Sequence, residues 1–220
     1  MTSLKNMVSI DKSFRSPRVL RMHLLLFSGF LGSGKTSLII SVSNAAVQSG
    51  HRAAIIVNEI GEIGIDNQLM RQLGLNVWEL VAGCICCTLT GDLVATLQTL
   101  DSDYAADLVI VEASGAADPH NVLSTLSYYR GRPLSSVRTA SVLDPLRLPM
   151  LIEVMAPLIT SQIQHADLII LSKIDLATSD QVDFARRTAR KINSTARIVS
   201  AAARGHLEAE LISELLPWLN

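Results

Sequence analysis

The most constraining feature of this sequence is a glycine-rich segment between an apolar run and a helical pattern. Residues 29–36 read Gly-Phe-Leu-Gly-Ser-Gly-Lys-Thr and fit the P-loop pattern. In this context the backbone N–H groups and the helix N-terminus point at phosphate, Lys35 contacts the β and γ oxygens, and the Thr36 hydroxyl ligates Mg²⁺. The predicted phosphate-binding residues are Gly29, Gly32, Ser33, Gly34, Lys35, Thr36 and Ser37.

Short apolar runs alternate with amphipathic stretches along the chain. Seven runs predict strands at 22–28, 53–58, 77–81, 108–112, 137–143, 168–172 and 197–200. Six patterns predict helices at 36–49, 92–100, 120–129, 150–165, 180–192 and 207–216. We therefore expect an α/β fold of the P-loop NTPase class, with a doubly wound, mainly parallel sheet of about seven strands and helices on both faces.

Composition limits the partners. Hydrophobic residues make up 49% of the chain and charged residues 18%, which suits a sheet covered on both faces. A formal net charge of −1 argues against nucleic acid, and no apolar run is long enough to span a membrane. Residues 1–20 lack an apolar core of the signal-peptide type and are expected to be a flexible extension before one domain at 21–220. We expect a cytoplasmic protein.

A second cluster of polar residues follows the strand predicted at 108–112. Glu112 ends this strand and begins the sequence Glu-Ala-Ser-Gly. A carboxylate in this position holds Mg²⁺ through water in nucleotide-hydrolysing proteins. Gly115 offers its N–H to the γ-phosphate. A solvated strand end is the alternative, and the P-loop makes it the weaker one.

The strand predicted at 168–172 ends in Ser-Lys-Ile-Asp, which resembles the Asn-Lys-x-Asp guanine motif. Asp175 would accept from the N1–H and 2-amino groups of guanine, with the Lys173 stem across the base, and adenine would leave that carboxylate unpaired. Ser172 replaces the usual Asn and removes an amide that braces the loop, so lower affinity is expected. Ser200 and Ala201 resemble the motif that backs guanine. A surface ion pair of Lys173 with Asp175 is the alternative.

Three cysteines follow the strand predicted at 77–81, at Cys84, Cys86 and Cys87. Three thiolates this close suit one soft cation such as Zn²⁺, Cu⁺ or Co²⁺. The sequence has no fourth cysteine, so the site is expected to be incomplete and exchangeable. The remaining ligand is open among Glu59, Glu62, a histidine, a second subunit and solvent. Two alternatives remain, namely structural cysteines and a redox-sensing vicinal pair.

Five motifs occur in one order, and together they resemble the CobW-like family of metal-handling GTPases, which is related to the urease and hydrogenase nickel-insertion GTPases. They are the P-loop, Asn-Glu-Ile-Gly-Glu-Ile-Gly-Ile-Asp at 58–66, Gly-Cys-Ile-Cys-Cys at 83–87, Glu-Ala-Ser-Gly-Ala-Ala-Asp-Pro at 112–119 and Ser-Lys-Ile-Asp at 172–175. The resemblance runs from about His23 to Ala201.

The resemblance implies a GTPase that cycles between GTP and GDP with Mg²⁺ and delivers Zn²⁺ or Co²⁺ to a metalloenzyme or cofactor-enzyme client. Residues 58–66 look like the switch, and Glu59 is expected to act in both hydrolysis and metal binding. Lys35, Glu112 and Gly115 complete the predicted catalytic set. Intrinsic turnover is expected to be slow and improved by GTP-dependent homodimerisation or a partner. The alternative function is a conformational chaperone that gates loading or reactivation of a corrinoid (cobalamin) enzyme.

One departure from the family pattern concerns length. Family members usually continue into a C-terminal domain, often with histidine-rich tracts, whereas this sequence stops after the GTPase domain and has five scattered histidines. We therefore expect no C-terminal domain of that type and no confident histidine ligand.

Overall fold

A computed structural model describes residues 21–57, 74–79, 88–203 and 209–219 of the chain. The described strands are β1 Met22–Ser28, β2 Ala53–Val57, β3 Asn76–Glu79, β4 Leu108–Glu112, β5 Leu134–Leu143, β6 Leu168–Leu171 and β7 Arg197–Ser200. They form one seven-stranded sheet in the order β3-β2-β4-β1-β5-β6-β7, and every neighbouring pair is parallel.

The described residues contain six α-helices, of which five lie between strands and the sixth follows β7. They are α1 Lys35–Gln48, α2 Thr88–Thr99, α3 Pro119–Thr125, α4 Leu148–Gln164, α5 Ser179–Ile192 and α6 Ala209–Leu215. A π-helical turn, Leu100–Tyr104, follows α2, and a 3₁₀ turn, Leu126–Tyr128, follows α3.

Alternate side chains of the central strand β1 face opposite layers. Leu25 and Phe27 pack with buried residues of α1 and α6, whereas Leu24 and Leu26 pack with buried residues of α2. Helices α4 and α5 cover β5 and β6 on the same side as α2. Helices therefore bury both faces of a parallel sheet, and the predicted doubly wound α/β class is confirmed.

Two elements begin earlier in the structure than the sequence predicts. Helix α3 begins at Pro119, one residue before the predicted start, because Asp118 accepts a hydrogen bond from the His120 N–H and proline is favoured in the first helical position. Strand β5 begins at Leu134 instead of 137. Its first five residues alternate between half-buried and exposed, so they show no apolar run in the sequence.

The strand order places one crevice at the carboxyl edge of the sheet. The chain leaves β1 for β2 on one side, returns to β4 next to β1, and then continues to β5 on the other side. The loops after β1 and β4 therefore meet at a topological switch point, which is where open α/β sheets bind their ligands.

Trp218 holds the end of the described chain at the amino ends of the strands. Its ring stacks on His23 with ring centroids 4.2 Å apart, and it meets His51 edge-on at 4.9 Å. His23 Nδ1 also lies 2.8 Å from the Ser136 hydroxyl. Burial lowers the pKa of His23 and nearby positive charge lowers it further, against the opposing effect of Asp107. The fold therefore favours neutral His23.

Acidification should weaken the fold through His23. Because its folded pKa lies below the unfolded value of 6.5, its contribution is fully present above pH 6.5 and is lost as the pH falls towards the folded pKa. In His23→Phe, which keeps a ring on Trp218, the free energy of unfolding should drop less between about pH 7.5 and about pH 5.5 than in the wild type. Urea unfolding measures both proteins, and equal pH dependences would contradict the assignment.

Candidate functional site

A cavity of about 450 Å³ opens at the carboxyl edge of the sheet. Its lining residues come from the loop and helix after β1 and from the ends of β2, β4 and β6. They are Leu31, Gly32, Gly34, Lys35, Thr36, Ser37, Ile40, Val57, Glu112, Ala113, Ser114, Gly115 and Lys173. Volume and position are those of a nucleotide site in a doubly wound protein.

Glycines shape the loop between β1 and α1. Gly29, Gly32 and Gly34 have φ angles of 136°, 74° and 97°, in the left-handed region that favours glycine. A Cβ on Gly29 would lie 2.3 Å from the carbonyl oxygen of Val142, so no side chain fits there. Gly34 is the N-cap of α1, and the first residues of this helix line the cavity. A helix N-terminus therefore faces the cavity, as anion binding requires.

Lys35 is buried and its ammonium group lies against the loop. Its Nζ donates hydrogen bonds to the carbonyl oxygens of Gly29 at 3.0 Å and Phe30 at 3.4 Å. The side chain also lines the cavity. This arrangement keeps a positive charge fixed beside the helix N-terminus, where it adds to the attraction for phosphate.

The predicted Mg²⁺ residues lie together in the cavity wall. The Thr36 hydroxyl donates to Glu112 Oε1 at 3.2 Å, which joins the first turn of α1 to the end of β4. A hydroxyl and a carboxylate are hard oxygen donors of the type that Mg²⁺ prefers, and water and phosphate oxygens supply its other ligands. The residues present therefore fit a Mg²⁺ ion beside a bound phosphate.

The loop after β4 packs tightly on the phosphate loop. A Cβ on Gly115 would lie 2.5 Å from the backbone nitrogen of Leu31, so glycine is required for this contact. Gln162 of α4 is fully buried and donates from Nε2 to the carbonyl oxygens of Gly115 at 3.2 Å and Ala117 at 3.4 Å. Sequence analysis found Gly115 but not Gln162, which lies inside an ordinary helical pattern.

Side chains from two other loops hold three successive carbonyl groups of the phosphate loop. The contacts run from Arg147 Nη1 to the Leu31 oxygen at 2.8 Å, from Lys173 Nζ to the Gly32 oxygen at 2.5 Å, and from Ser172 Oγ to the Ser33 oxygen at 2.7 Å. Sequence analysis missed Arg147, because no motif marks it. The ends of β5 and β6 are therefore connected directly to the phosphate loop.

Ser172 is a brace, contrary to the expectation that replacing Asn removes one. Its side chain is buried, and its hydroxyl lies within hydrogen-bond distance of the carbonyl oxygens of Ser33 at 2.7 Å and Leu143 at 3.1 Å. A short hydroxyl reaches the phosphate loop because β5 and β6 bring the two backbones close. The predicted loss of the brace is wrong, whereas the predicted lower guanine affinity stays a prediction.

Lys173 connects the loop after β6 to the cavity. It has a φ of 54°, a left-handed conformation that is uncommon outside glycine. Its Nζ lies 3.0 Å from Asp144 Oδ2, and Asp144 is buried at the end of β5. The ion pair fixes the lysine ammonium, and the alternative pairing of Lys173 with Asp175 is not what the structure shows.

The loops after β6 and β7 are joined beside Lys173. Asp175 is exposed, and its Oδ1 accepts a hydrogen bond from the Ala203 N–H at 2.6 Å. Ile174 donates its N–H to the Ala201 oxygen at 3.2 Å, and Ser200 accepts a hydrogen bond from Arg186. Gly29, Ser33, Ser172, Asp175, Ser200 and Ala201 do not themselves line the cavity.

The predicted soft-metal ligands lie outside the described residues. These are Glu59, Cys84, Cys86 and Cys87. The predicted switch at 58–66 also lies outside the described residues. Across 21–57, 74–79, 88–203 and 209–219, no group of three or more His, Cys, Asp and Glu side chains is arranged to hold a metal ion. In the same part of the chain, no helix has the length and apolarity that crossing a membrane requires.

A sequence profile of one family, described as the CobW/HypB/UreG nucleotide-binding domain, matches residues 23–200. The similar curated proteins include zinc-regulated GTPase metalloprotein activator 1 of Schizosaccharomyces pombe, which is 30% identical over 201 residues. Zinc chaperone YjiA of Escherichia coli is 37% identical over 105 residues. These matches take in 87% and 46% of this chain but only 47% and 32% of those proteins.

Solved structures share the fold. The hydrogenase maturation factor HypB from Archaeoglobus fulgidus superposes with a TM-score of 0.63 at 19% identity, over 90% of this chain and 91% of that one. Zn(II)-bound YjiA GTPase from Escherichia coli gives a TM-score of 0.62 at 22% identity, over 87% of this chain and 61% of that one. At these identities the likeness shows the P-loop fold alone.

Removing the Ser172 hydroxyl should lower the affinity for guanine nucleotides. The buried carbonyl of Ser33 would lose its donor, at a cost of about 1–3 kcal/mol, and the phosphate loop would loosen. We expect Ser172→Ala to raise the Kd for GDP roughly fivefold or more, and Ser172→Asn to bind GDP at least as tightly as the wild type. Isothermal titration measures this. Ser213→Ala, which removes an exposed hydroxyl on α6, should change nothing, and an unchanged Kd in Ser172→Ala would refute the brace.

Proposed function

The chain belongs to the CobW/HypB/UreG family of nucleotide-binding domains, and from that premise we propose that it hydrolyses GTP with Mg²⁺ and couples this cycle to delivery of Zn²⁺ or Co²⁺. The GTPase class predicted from the sequence is confirmed at the level of the family, whose named relatives include a GTPase metalloprotein activator and zinc chaperones. Because the chain spans 47% or less of those two relatives, the activity, cargo and client of the whole protein are part of the proposal.

The cavity carries the proposal for hydrolysis. Lys35 and the Gly115 N–H would stabilise the charge on the γ-phosphoryl group, and Thr36 and Glu112 would hold Mg²⁺, which supplies charge neutralisation to the β and γ oxygens. Among the described residues that line the cavity there is no glutamine or histidine to orient the attacking water. Slow intrinsic turnover follows, and Glu59 or a partner would supply the missing group.

Guanine selection is assigned to the loop after β6. Lys173 is fixed by Asp144 at 3.0 Å and lines the cavity, so its stem lies where a base would extend from the phosphates. Asp175 Oδ1 accepts a hydrogen bond from the Ala203 N–H at 2.6 Å, which holds the carboxylate in place. This held carboxylate would accept from both donors on the guanine edge, which adenine does not offer.

Replacing Asp175 by Asn should change which base is preferred. Xanthine has an oxygen where guanine has its 2-amino group, and an amide can donate to that oxygen while a carboxylate repels it. We expect Asp175→Asn to lose about tenfold or more in GTP affinity and to gain XTP binding, because one guanine donor would then face the amide N–H₂ instead of a carboxylate oxygen. Asp180→Asn, on the exposed first turn of α5, is the matched control. Competition titrations with GTP, XTP and ATP measure the outcome, and unchanged preferences would refute the assignment.

One structural observation supports coupling to a metal. Val57 at the end of β2 pairs in register with both Glu112 of β4 and Glu79 of β3, and Val57 lines the cavity. The chain enters residues 58–66 directly after Val57, and it enters the segment with Cys84, Cys86 and Cys87 shortly after Glu79. Both segments therefore start at the sheet edge that holds the phosphate site, where a γ-phosphate can bias a switch.

The cargo is proposed to be a soft divalent metal held by the three thiolates, with Glu59 as a ligand that depends on the nucleotide. Zinc is favoured because several similar proteins are named zinc chaperones or a zinc-regulated activator, and cobalt stays open. Delivery would be to a client metalloprotein in the cytoplasm, with GTP-dependent homodimerisation as the route to faster turnover.

Zn²⁺ affinity should depend on the bound nucleotide. We expect at least fivefold tighter Zn²⁺ binding with GTPγS than with GDP, a coupling of about 1 kcal/mol, because the switch would add a ligand in only one state. Cys86→Ser with Cys87→Ser should abolish both the tight binding and the difference. Competition with a chromogenic zinc chelator measures the affinities.

A histidine pair outside the proposed cargo site is the control for adventitious zinc binding. The rings of His120 and His165 lie 5.2 Å apart, close enough for two imidazoles to share a surface ion. His120→Gln with His165→Gln should leave the nucleotide-dependent binding intact. Equal affinities with GTPγS and GDP would refute the coupling, and tight binding that survives loss of the cysteines would refute the cargo site.

A further inference from the structure

The turn between β5 and α4 carries two charges that face the phosphate loop. Asp144 Oδ1 accepts a hydrogen bond from the Leu146 N–H at 3.1 Å, and its carbonyl oxygen accepts from the Arg147 N–H at 3.1 Å. These bonds make the turn compact. The Asp144 carboxylate pairs with Lys173, and the Arg147 guanidinium reaches the loop after β1.

Arg147 approaches the loop from behind the cavity. Its Nη1 donates to the Leu31 carbonyl oxygen at 2.8 Å, and its guanidinium lies 5.6 Å from the centre of the Phe30 ring. A Cβ on Gly32 would come within 3.0 Å of Nη1, so the contact is close. Arg147 lies with Asp144 on this outer side and does not line the cavity.

Holding the Leu31 carbonyl outward turns the next amide inward. A trans peptide is planar, and its C=O and N–H point in opposite directions. With the Leu31 oxygen on Arg147, the N–H of Gly32 is directed to the other side of the loop, and Gly32 lines the cavity. A charged donor on the carbonyl also polarises the peptide, which makes its N–H a stronger donor.

This peptide lies at the γ-phosphate end of the site. The loop after β4 touches Leu31, because a Cβ on Gly115 would lie 2.5 Å from its nitrogen and 2.9 Å from its Cα. Gly115 is the residue proposed above to contact the γ-phosphate. The amide that Arg147 orients is therefore next to the group that distinguishes GTP from GDP.

We propose that Arg147 is a positioning residue that sets the Leu31–Gly32 peptide for the γ-phosphate and thereby favours GTP over GDP. It acts from outside the cavity, through the backbone, and touches no substrate. The inference rests on the proposed GTPase function. It adds a residue that sets the preference for GTP over GDP and that lies in the turn between β5 and α4, outside the nucleotide-binding motifs.

The test compares nucleotide preference among three variants of the full chain. Arg147→Gln keeps a hydrogen-bond donor without charge, and Arg147→Lys keeps the charge. Arg130→Gln is the control, because Arg130 is exposed and donates only to the nearby carbonyl groups of Ser127 and Tyr129. Titrations give the Kd for GTPγS and for GDP, and single-turnover kinetics give the rate of GTP hydrolysis.

The preference for GTPγS over GDP should fall about tenfold in Arg147→Gln, with a parallel loss of hydrolysis rate. It should fall by less in Arg147→Lys and stay unchanged in Arg130→Gln. A general loosening of the loop would weaken the binding of both nucleotides equally. Equal losses of affinity for GTPγS and GDP, or an unchanged ratio of the two Kd values, would therefore overturn the inference. GTP binding by the wild type would still uphold the proposed function. A wild type that binds no guanine nucleotide would overturn the proposed function and this inference together.

Discussion

The carbonyl oxygens of the phosphate loop are held by side chains, and the rest of the site depends on this interaction. Buried backbone groups need partners. One backbone hydrogen bond lies within the loop, from the Ser33 N–H to the Phe30 oxygen at 3.1 Å, and side chains supply donors to the loop carbonyls. Lys35 accounts for two of these carbonyls, and donors from the ends of β5 and β6 account for three more. The loop can then present its amides to phosphate without rearranging.

Sheet topology supplies those donors. Strand β1 lies between β4 and β5, so the phosphate loop has Glu112 on one side and the turn with Asp144 and Arg147 on the other. Lys173 comes from β6, one strand further, and reaches both the Gly32 carbonyl and the Asp144 carboxylate. A base bound over Lys173 would therefore act on the same loop that is proposed to bind phosphate.

Local spacing in the sequence predicts the residues that belong to short motifs. The P-loop, Glu112 at a strand end and the Lys173 loop belong to motifs, and alternating apolar runs gave the α/β class. Arg147 and Gln162 were missed because their contacts, with Leu31 and Gly115, join positions 116 and 47 residues apart. The Ser172 brace was missed for the same reason, since a hydroxyl suffices only where two backbones come close. Contacts between residues so far apart in the sequence depend on tertiary packing, which the spacing of residues along the chain does not reveal.

The same edge geometry explains why a metal site would be placed between the switch and the carboxylate. Phe27, Glu112 and Val57 are register neighbours on three adjacent parallel strands, and such strands lie about 4.8 Å apart. A segment that leaves β2 after Val57 thus starts one strand spacing from Glu112. The proposed hydrolysis would change the charge at that point, and charge effects weaken with distance and screening. The proposed cargo segments follow β2 and β3 and would be close enough to feel that change, whereas a segment beyond β7 would not.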